Sequence, residues 1–173
     1  LGQSFTILNY SAHSDRFNYV ELPVLAAGLV WQMSYGATAL TLEVVTGVDG
    51  DTDGIFDQWE DIHGLNSSSP SDATLDFDGD GMSNRAEFVA NTDPNNPASV
   101  FAVQEIAHTA EEITVTLSTV PGKRYKLQSR DELGDPAWAD RSAPVTASKS
   151  TLSLSDPLDA APGQRFYRAV LAE

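Results

Sequence analysis

The chain has no cysteine, which excludes disulfides, thiolate catalysis and cysteine-ligated zinc and leaves the redox compartment unread. Histidine is nearly absent. His13, His63 and His108 lie in three different segments, none in a His-x-x-x-His or nucleophile-elbow context, so each reads as an ordinary surface residue rather than a ligand. There is no hydrophobic leader and no apolar run near about 18 residues, so no membrane span is expected. The first residue is Leu1 rather than Met, and we expect a mature or excised piece of a larger precursor. Bases are few: 10 Lys and Arg stand against 25 Asp and Glu, a net charge of -15. That field argues against nucleic acid, whose phosphates need a basic surface. A phosphate-cradling glycine loop is missing too, because the glycine-rich turns sit among aspartates that would repel phosphate.

What the chain does have is acid, and its placement is uneven. Residues 49–93 hold twelve acids and one base, Arg85, for a net of -11, whereas residues 101–173 hold ten acids and eight bases. Within the acidic stretch one pattern is written twice at an offset of 27 positions: Asp49-Gly-Asp51-Thr-Asp53-Gly54-Ile55-Phe-Asp57-Gln-Trp59-Glu60, then Asp76-Phe-Asp78-Gly-Asp80-Gly81-Met82-Ser-Asn84-Arg-Ala86-Glu87. Ca²⁺ takes about six to eight oxygens, and a 12-residue loop supplies them from positions 1, 3, 5, 7 (a backbone carbonyl), 9 and a bidentate acid at 12, with glycine at 6. Both copies meet every requirement. The expected ligands are Asp49, Asp51, Asp53, the Ile55 carbonyl, Asp57 and Glu60 in the first, and Asp76, Asp78, Asp80, the Met82 carbonyl, Asn84 and Glu87 in the second. Two Ca²⁺ would reduce the local charge from -11 to -7. Mg²⁺ suits such an all-protein cage less well. The neighbouring acids Asp61, Asp72 and Asp93 read as caps or solvated charges. Asn66 and Asp93 occupy equivalent repeat positions, which leaves open a shared supplementary role.

The repeat extends beyond the loops. An apolar stripe at helical spacing follows each: Ile55, Trp59 and Ile62, then Met82, Ala86 and Val89. The stripes end at Gly64 and Asn91, residue types that accept the left-handed conformation closing a helix. No helix is expected to enter either loop, since a strand precedes the first and the turn formers Asn66 to Asp72 precede the second.

Residues 1–48 show short alternating runs at Phe5, Ile7 and Leu8; Phe17, Tyr19 and Val20; Leu29, Val30 and Trp31; and Leu40, Leu42, Val44 and Val45, about four strands with turns at Asn9–Asp15, Pro23–Gly28 and Ser34–Thr38. From Phe101 onward six further runs are expected: Phe101–Ile106, Ile113–Leu117, Tyr125–Ser129, Val145–Ala147, Thr151–Leu154 and Arg165–Leu171. Turns at Pro121-Gly122, Gly134-Asp135-Pro136, Asp156-Pro157 and Pro162-Gly163 separate most of them, the rhythm of a small fibronectin- or immunoglobulin-like sandwich. Trp138, Tyr125, Phe166 and Tyr167 are its expected core anchors. The prolines of Asp93-Pro94-Asn-Asn-Pro97 suggest a stiff joint ahead of it. The expected fold class is therefore mainly β with a small α calcium-binding insert, in three parts: a β segment over 1–48, tandem loop-helix repeats over 49–97 and a β-sandwich over 98–173.

A loop followed only by an exiting helix resembles dockerins and, more closely, the bacterial form of the thrombospondin type 3 repeat, carried here by Trp59-Glu60, Gly64-Leu65, Asp76-x-Asp-Gly-Asp-Gly, Asn84, Glu87-Phe88 and Thr92-Asp93-Pro94. Paired EF-hands differ: they carry helices on both sides and an apolar residue at position 8, which here is Phe56 in one loop and Ser83 in the other. The segment Phe17 to Leu42 resembles the closing coils of large β-helical surface proteins, the alternative being a small antiparallel sheet. The C-terminal part resembles the sandwich that often ends large secreted bacterial proteins. These resemblances imply a non-catalytic, calcium-rigidified structural or adhesion-type segment of an extracellular or cell-surface protein, whose partners are adjoining parts of its own larger chain or neighbouring surface proteins. Two alternatives stand beside it: a dockerin-like recognition module, and a carbohydrate-binding accessory module of a larger secreted enzyme using aromatics of the last sandwich.

Overall fold

The computed structural model describes residues 2–14, 17, 22–158 and 164–172. The protein is mainly β, with several antiparallel sheets and two short helices. It divides into two compact units, Leu1–Ser99 and Val100–Glu173. No helix among the described residues is long and apolar enough to cross a membrane.

In the first unit the strands β1 (Ser4–Asn9), β2 (Leu29–Tyr35) and β3 (Ala39–Thr46) form an antiparallel sheet in the order β1-β3-β2. Alternation along β3 turns Leu40 and Leu42 to one face, paired with Tyr35 and Met33 of β2, and both are buried; Val30 of β2 is buried on the other face, which it shares with Val45. The edge strand β1 is exposed throughout and carries a register shift between Thr6 and Leu8. Phe17 lies in no strand. Tyr19 and Val20, the rest of that expected run, lie outside the described residues, as do Asp15 and the Pro162-Gly163 turn.

Beyond β3 the chain forms α1 (Asp57–His63), a 3₁₀ turn (Asp72–Thr74) and α2 (Asn84–Ala90). Gly64 and Asn91 close the two helices with φ of 76° and 59°, the left-handed conformation their residue types tolerate. The helices are joined by aromatic side chains rather than by long apolar faces. Phe88 of α2 meets Phe56 at 5.2 Å and Trp59 at 5.5 Å, both edge-on, the arrangement ring quadrupoles favour. Phe56 also lies against Gly47, where an added Cβ would fall 2.4 Å from the ring. The first apolar stripe is inward, with Ile55 fully buried. The second departs from expectation: Ala86 is exposed and Val89 is half exposed, while Glu87 and Ala90 are buried. Both helices turn their acid inward, but only α1 also keeps its apolar stripe positions, Trp59 and Ile62, half-buried.

The second unit contains β4 (Val103–His108), β5 (Glu112–Ser118), β6 (Arg124–Arg130), β7 (Ala139–Asp140), β8 (Val145–Thr146), β9 (Thr151–Pro157) and β10 (Phe166–Leu171). One sheet runs β4-β5-β9; the other runs β10-β6-β7, with β8 also paired to β6. Both sheets contribute to one core of Val115, Leu117, Tyr125, Leu127, Ala147 and Leu154, against which Tyr167 packs. Tyr125 is fully buried and its hydroxyl oxygen accepts the Val120 N–H at 2.9 Å. Trp138 is not a core anchor. The guanidinium groups of Arg130 and Arg168 each lie 4.3 Å from its ring centroid, cation–π contacts made by a half-buried indole outside the apolar cluster.

Candidate metal centres

The two acidic loops are built by the same hydrogen bonds at the same offset. Asp49 Oδ2 accepts the Gly54 N–H at 3.0 Å, and Asp76 Oδ2 accepts that of Gly81 at 2.9 Å. Asp53 Oδ1 takes the Ile55 N–H and Asp80 Oδ1 the Met82 N–H, each at 2.7 Å. Asp51 and Asp78 each accept from the amide two residues on, at 3.3 and 3.1 Å. Short aspartate side chains that bond their own downstream amides wind such loops tightly. The glycines at loop position 6, Gly54 and Gly81, have φ of 90° and 99°, angles a side chain resists. One backbone bond seats each loop: Asp57 N–H to Val48 O in the first and Asn84 N–H to Leu75 O in the second, both 2.7 Å.

These bonds leave a defined set of oxygens without partners. Among the described residues Asp51 Oδ2, Asp53 Oδ2, both carboxylate oxygens of Glu60, Asp78 Oδ2, Asp80 Oδ2, Asn84 Oδ1 and Glu87 Oε2 are buried with no hydrogen-bond donor. These eight belong to residues of the expected ligand sets; a ninth, Asp72 Oδ1, lies outside them. A buried oxygen without a donor costs roughly 1–3 kcal/mol, more when charged, so eight such oxygens in one small region are unfavourable unless something positive meets them. Ligand atoms of Asp49, Asp51 and Asp53 lie within 4.8 Å of one another, as do those of Asp76, Asp78 and Asp80. These groups fit a hard cation, which is held by carboxylate and carbonyl oxygens.

The position-12 acids carry the strongest electrostatic signal. Glu60 and Glu87 are both 0% exposed. Burial, then the field of Asp53, Asp51, Asp72 and Asp57, pushes the Glu60 carboxyl from its ordinary 4.5 to about 7. Burial, then Asp78 and Asp80, pushes Glu87 up to about 8. A helix that turns its carboxylate inward onto other carboxylates is arranged for a counter-charge.

The remaining expected ligands are less uniform. Asp57 Oδ1 is engaged by the Gly50 N–H at 2.7 Å. Asn84 donates from Nδ2 to the Asp72 carbonyl at 2.8 Å, which leaves its Oδ1 as the acceptor end. Glu87 shares one oxygen with the Thr92 hydroxyl at 3.2 Å, whereas Leu65 at the equivalent place offers Glu60 no donor. Ser83 caps α2 by accepting the Ala86 N–H at 3.3 Å, and Phe56 at the same loop position packs instead, so the polar-for-apolar exchange changes one helix start and leaves both loops intact.

One residue of the site was read differently from sequence. Asp72 is not a solvated charge: it is 6% exposed, and its carboxylate groups with those of Asp53 and Glu60 within 4.8 Å. The signal for it lay in the offset, which pairs Asp72 with Ser99. Asp72 Oδ2 accepts the Asn66 N–H at 2.8 Å, and Ser99 Oγ accepts the Asp93 N–H at 3.0 Å, so the backbone is anchored alike at Asn66 and Asp93. His63 is structural, its Nδ1 2.7 Å from the Trp59 carbonyl and its ring 4.1 Å from the indole.

Comparison of the chain with protein-family models, with curated proteins and with solved structures returns no match. The reading of these centres therefore rests on their own chemistry.

Proposed function

We propose that the protein is a non-catalytic, calcium-stabilised structural segment of a secreted or cell-surface protein, in which two Ca²⁺ ions rigidify the double loop-helix region beside the first β-sheet. The observation that carries this reading is the set of nine buried, donor-less oxygens, eight of which fall on loop positions 3, 5, 9 and 12. Oxygen-only ligation and the lack of histidine or cysteine in the clusters favour a hard cation over zinc or copper. Binding that requires the folded loops is also folding free energy, which a unit with two seven-residue helices and few buried aliphatics lacks. Millimolar extracellular calcium would fill even sites of about 10⁻⁴ M. In this reading the loop-helix pair is a bacterial thrombospondin type 3-like repeat and the second unit a small β-sandwich.

The test is thermal unfolding of the full chain in Ca²⁺ and after exhaustive chelation. A higher midpoint and slower proteolysis between Asp49 and Asp93 in Ca²⁺ are expected. An unchanged midpoint and cleavage pattern would sink the proposal.

A further inference from the structure

The first loop has a carboxylate that the second has no counterpart for, and it comes from outside the 12-residue pattern. Asp72 opens the 3₁₀ turn between the repeats, twelve positions after Glu60. One of its oxygens holds the Asn66 N–H; the other, Oδ1, is buried with no hydrogen-bond partner among the described residues. A carboxylate oxygen of Asp72 lies within 4.8 Å of ligand atoms of both Asp53 and Glu60; Asp72 and Glu60 are deeply buried and Asp53 is half-buried. The equivalent residue in the second repeat, Ser99, reproduces the backbone bond but has no second oxygen to offer.

We propose that Asp72 is a direct ligand of the first cation site, closing its coordination from the inter-repeat turn and making the two sites unequal. The proposal rests on the reading of the loops as cation sites. Six acids then surround the first site (Asp49, Asp51, Asp53, Asp57, Glu60 and Asp72), against four and an amide at the second (Asp76, Asp78, Asp80, Glu87 and Asn84). Affinity for Ca²⁺ follows ligand charge and site rigidity, so the first site is the tighter and fills first. The Asp72 main chain also accepts the Asn84 Nδ2–H, which places the turn that closes one site against a ligand of the other.

The experiment is calorimetric Ca²⁺ titration of the full chain, as the natural sequence and as Asp72→Asn and Asp72→Ser. Both substitutions keep an oxygen for the Asn66 N–H, and serine is what the second repeat uses there. The natural chain is expected to show two unequal sites, and either variant to lose at least about tenfold at the tighter one with the weaker one little changed. Metal-free melting supplies a second readout, because removing a buried negative charge raises the midpoint in chelator if Asp72 faces the site. Unchanged affinities in the variants, or equal losses at both sites with a lower metal-free midpoint, would overturn the role of Asp72 while leaving the cation sites standing. A natural chain that takes up no Ca²⁺ would instead remove the reading beneath it.

Discussion

Replacing Glu60 by Gln should make the metal-free protein more stable than the natural chain and the calcium-loaded protein less stable than it. Without a cation the buried Glu60 carboxylate faces other acids, and its pKa of about 7 against an ordinary 4.5 measures the strain of ionising it there. At about 1.4 kcal/mol per unit the full shift corresponds to roughly 3 kcal/mol, of which about 1–2 kcal/mol remains once the relaxation and water penetration that lower the cost of any buried charge are allowed for. Gln has the same shape without the charge, so the metal-free variant should be more stable than the natural chain. For a unit of this size the gain appears as roughly 4–16 °C in midpoint. In saturating Ca²⁺ the sign reverses: the natural chain gains about 2.7 kcal/mol per site at a hundredfold excess over Kd, and the variant, without its bidentate acid, forfeits most of that at one site. Circular-dichroism melts at about pH 8 in chelator and in Ca²⁺ read both halves. A Gln variant less stable than the natural chain under both conditions would refute the reasoning, since it would make Glu60 a packing residue.

Further outcomes follow from the same geometry. The metal-free protein should gain stability as pH falls from about 8 to about 5: Glu60 and Glu87 have folded pKa values raised above 4.5, so across that window the native state binds more protons than the unfolded one, and melts in metal-stripped buffer should show the trend and Ca²⁺ should flatten it. Gly64→Ala should cost about 1 kcal/mol in urea unfolding through backbone conformation alone, since φ is 76° and nothing lies within 4 Å of an added Cβ; Gly47→Ala should cost more, by displacing Phe56 from Phe88. Asp156→Ala should destabilise the second unit by about 3 kcal/mol, with no dependence on Ca²⁺ in calorimetric unfolding, because this buried acid accepts from Arg165 at 3.1 Å and from the Tyr167 hydroxyl at 2.9 Å.

Both loops, their following helices and their left-handed caps were legible in the sequence because a loop of this kind is written locally: aspartates bond amides two to five residues away, and glycine marks the strained angle. β2, β3, β5, β6, β9 and β10 were legible for a related reason, their alternation being set by one buried face. What was not legible is long-range. Trp138 reads as core by composition, and only the folded sheet brings Arg130 and Arg168 to its ring. The two-residue strand β7 has no pattern of its own and exists because Gln128 and Ser129 offer a free edge to Asp140 and Ala139. Val89 is half exposed although Ile62, its equivalent in α1, is half-buried, a difference that an apolar periodicity does not encode. Asp72 looked like one more acid in a turn, because its partners Asp53 and Glu60 lie in the preceding repeat.

The central claim is that these loops are calcium sites. Equilibrium dialysis of the chelator-stripped full chain against Ca²⁺ at millimolar concentration with excess Mg²⁺, followed by elemental analysis, tests it most directly. The account predicts two Ca²⁺ bound per chain and no retained Mg²⁺. A chain that leaves dialysis with no bound Ca²⁺ would contradict it.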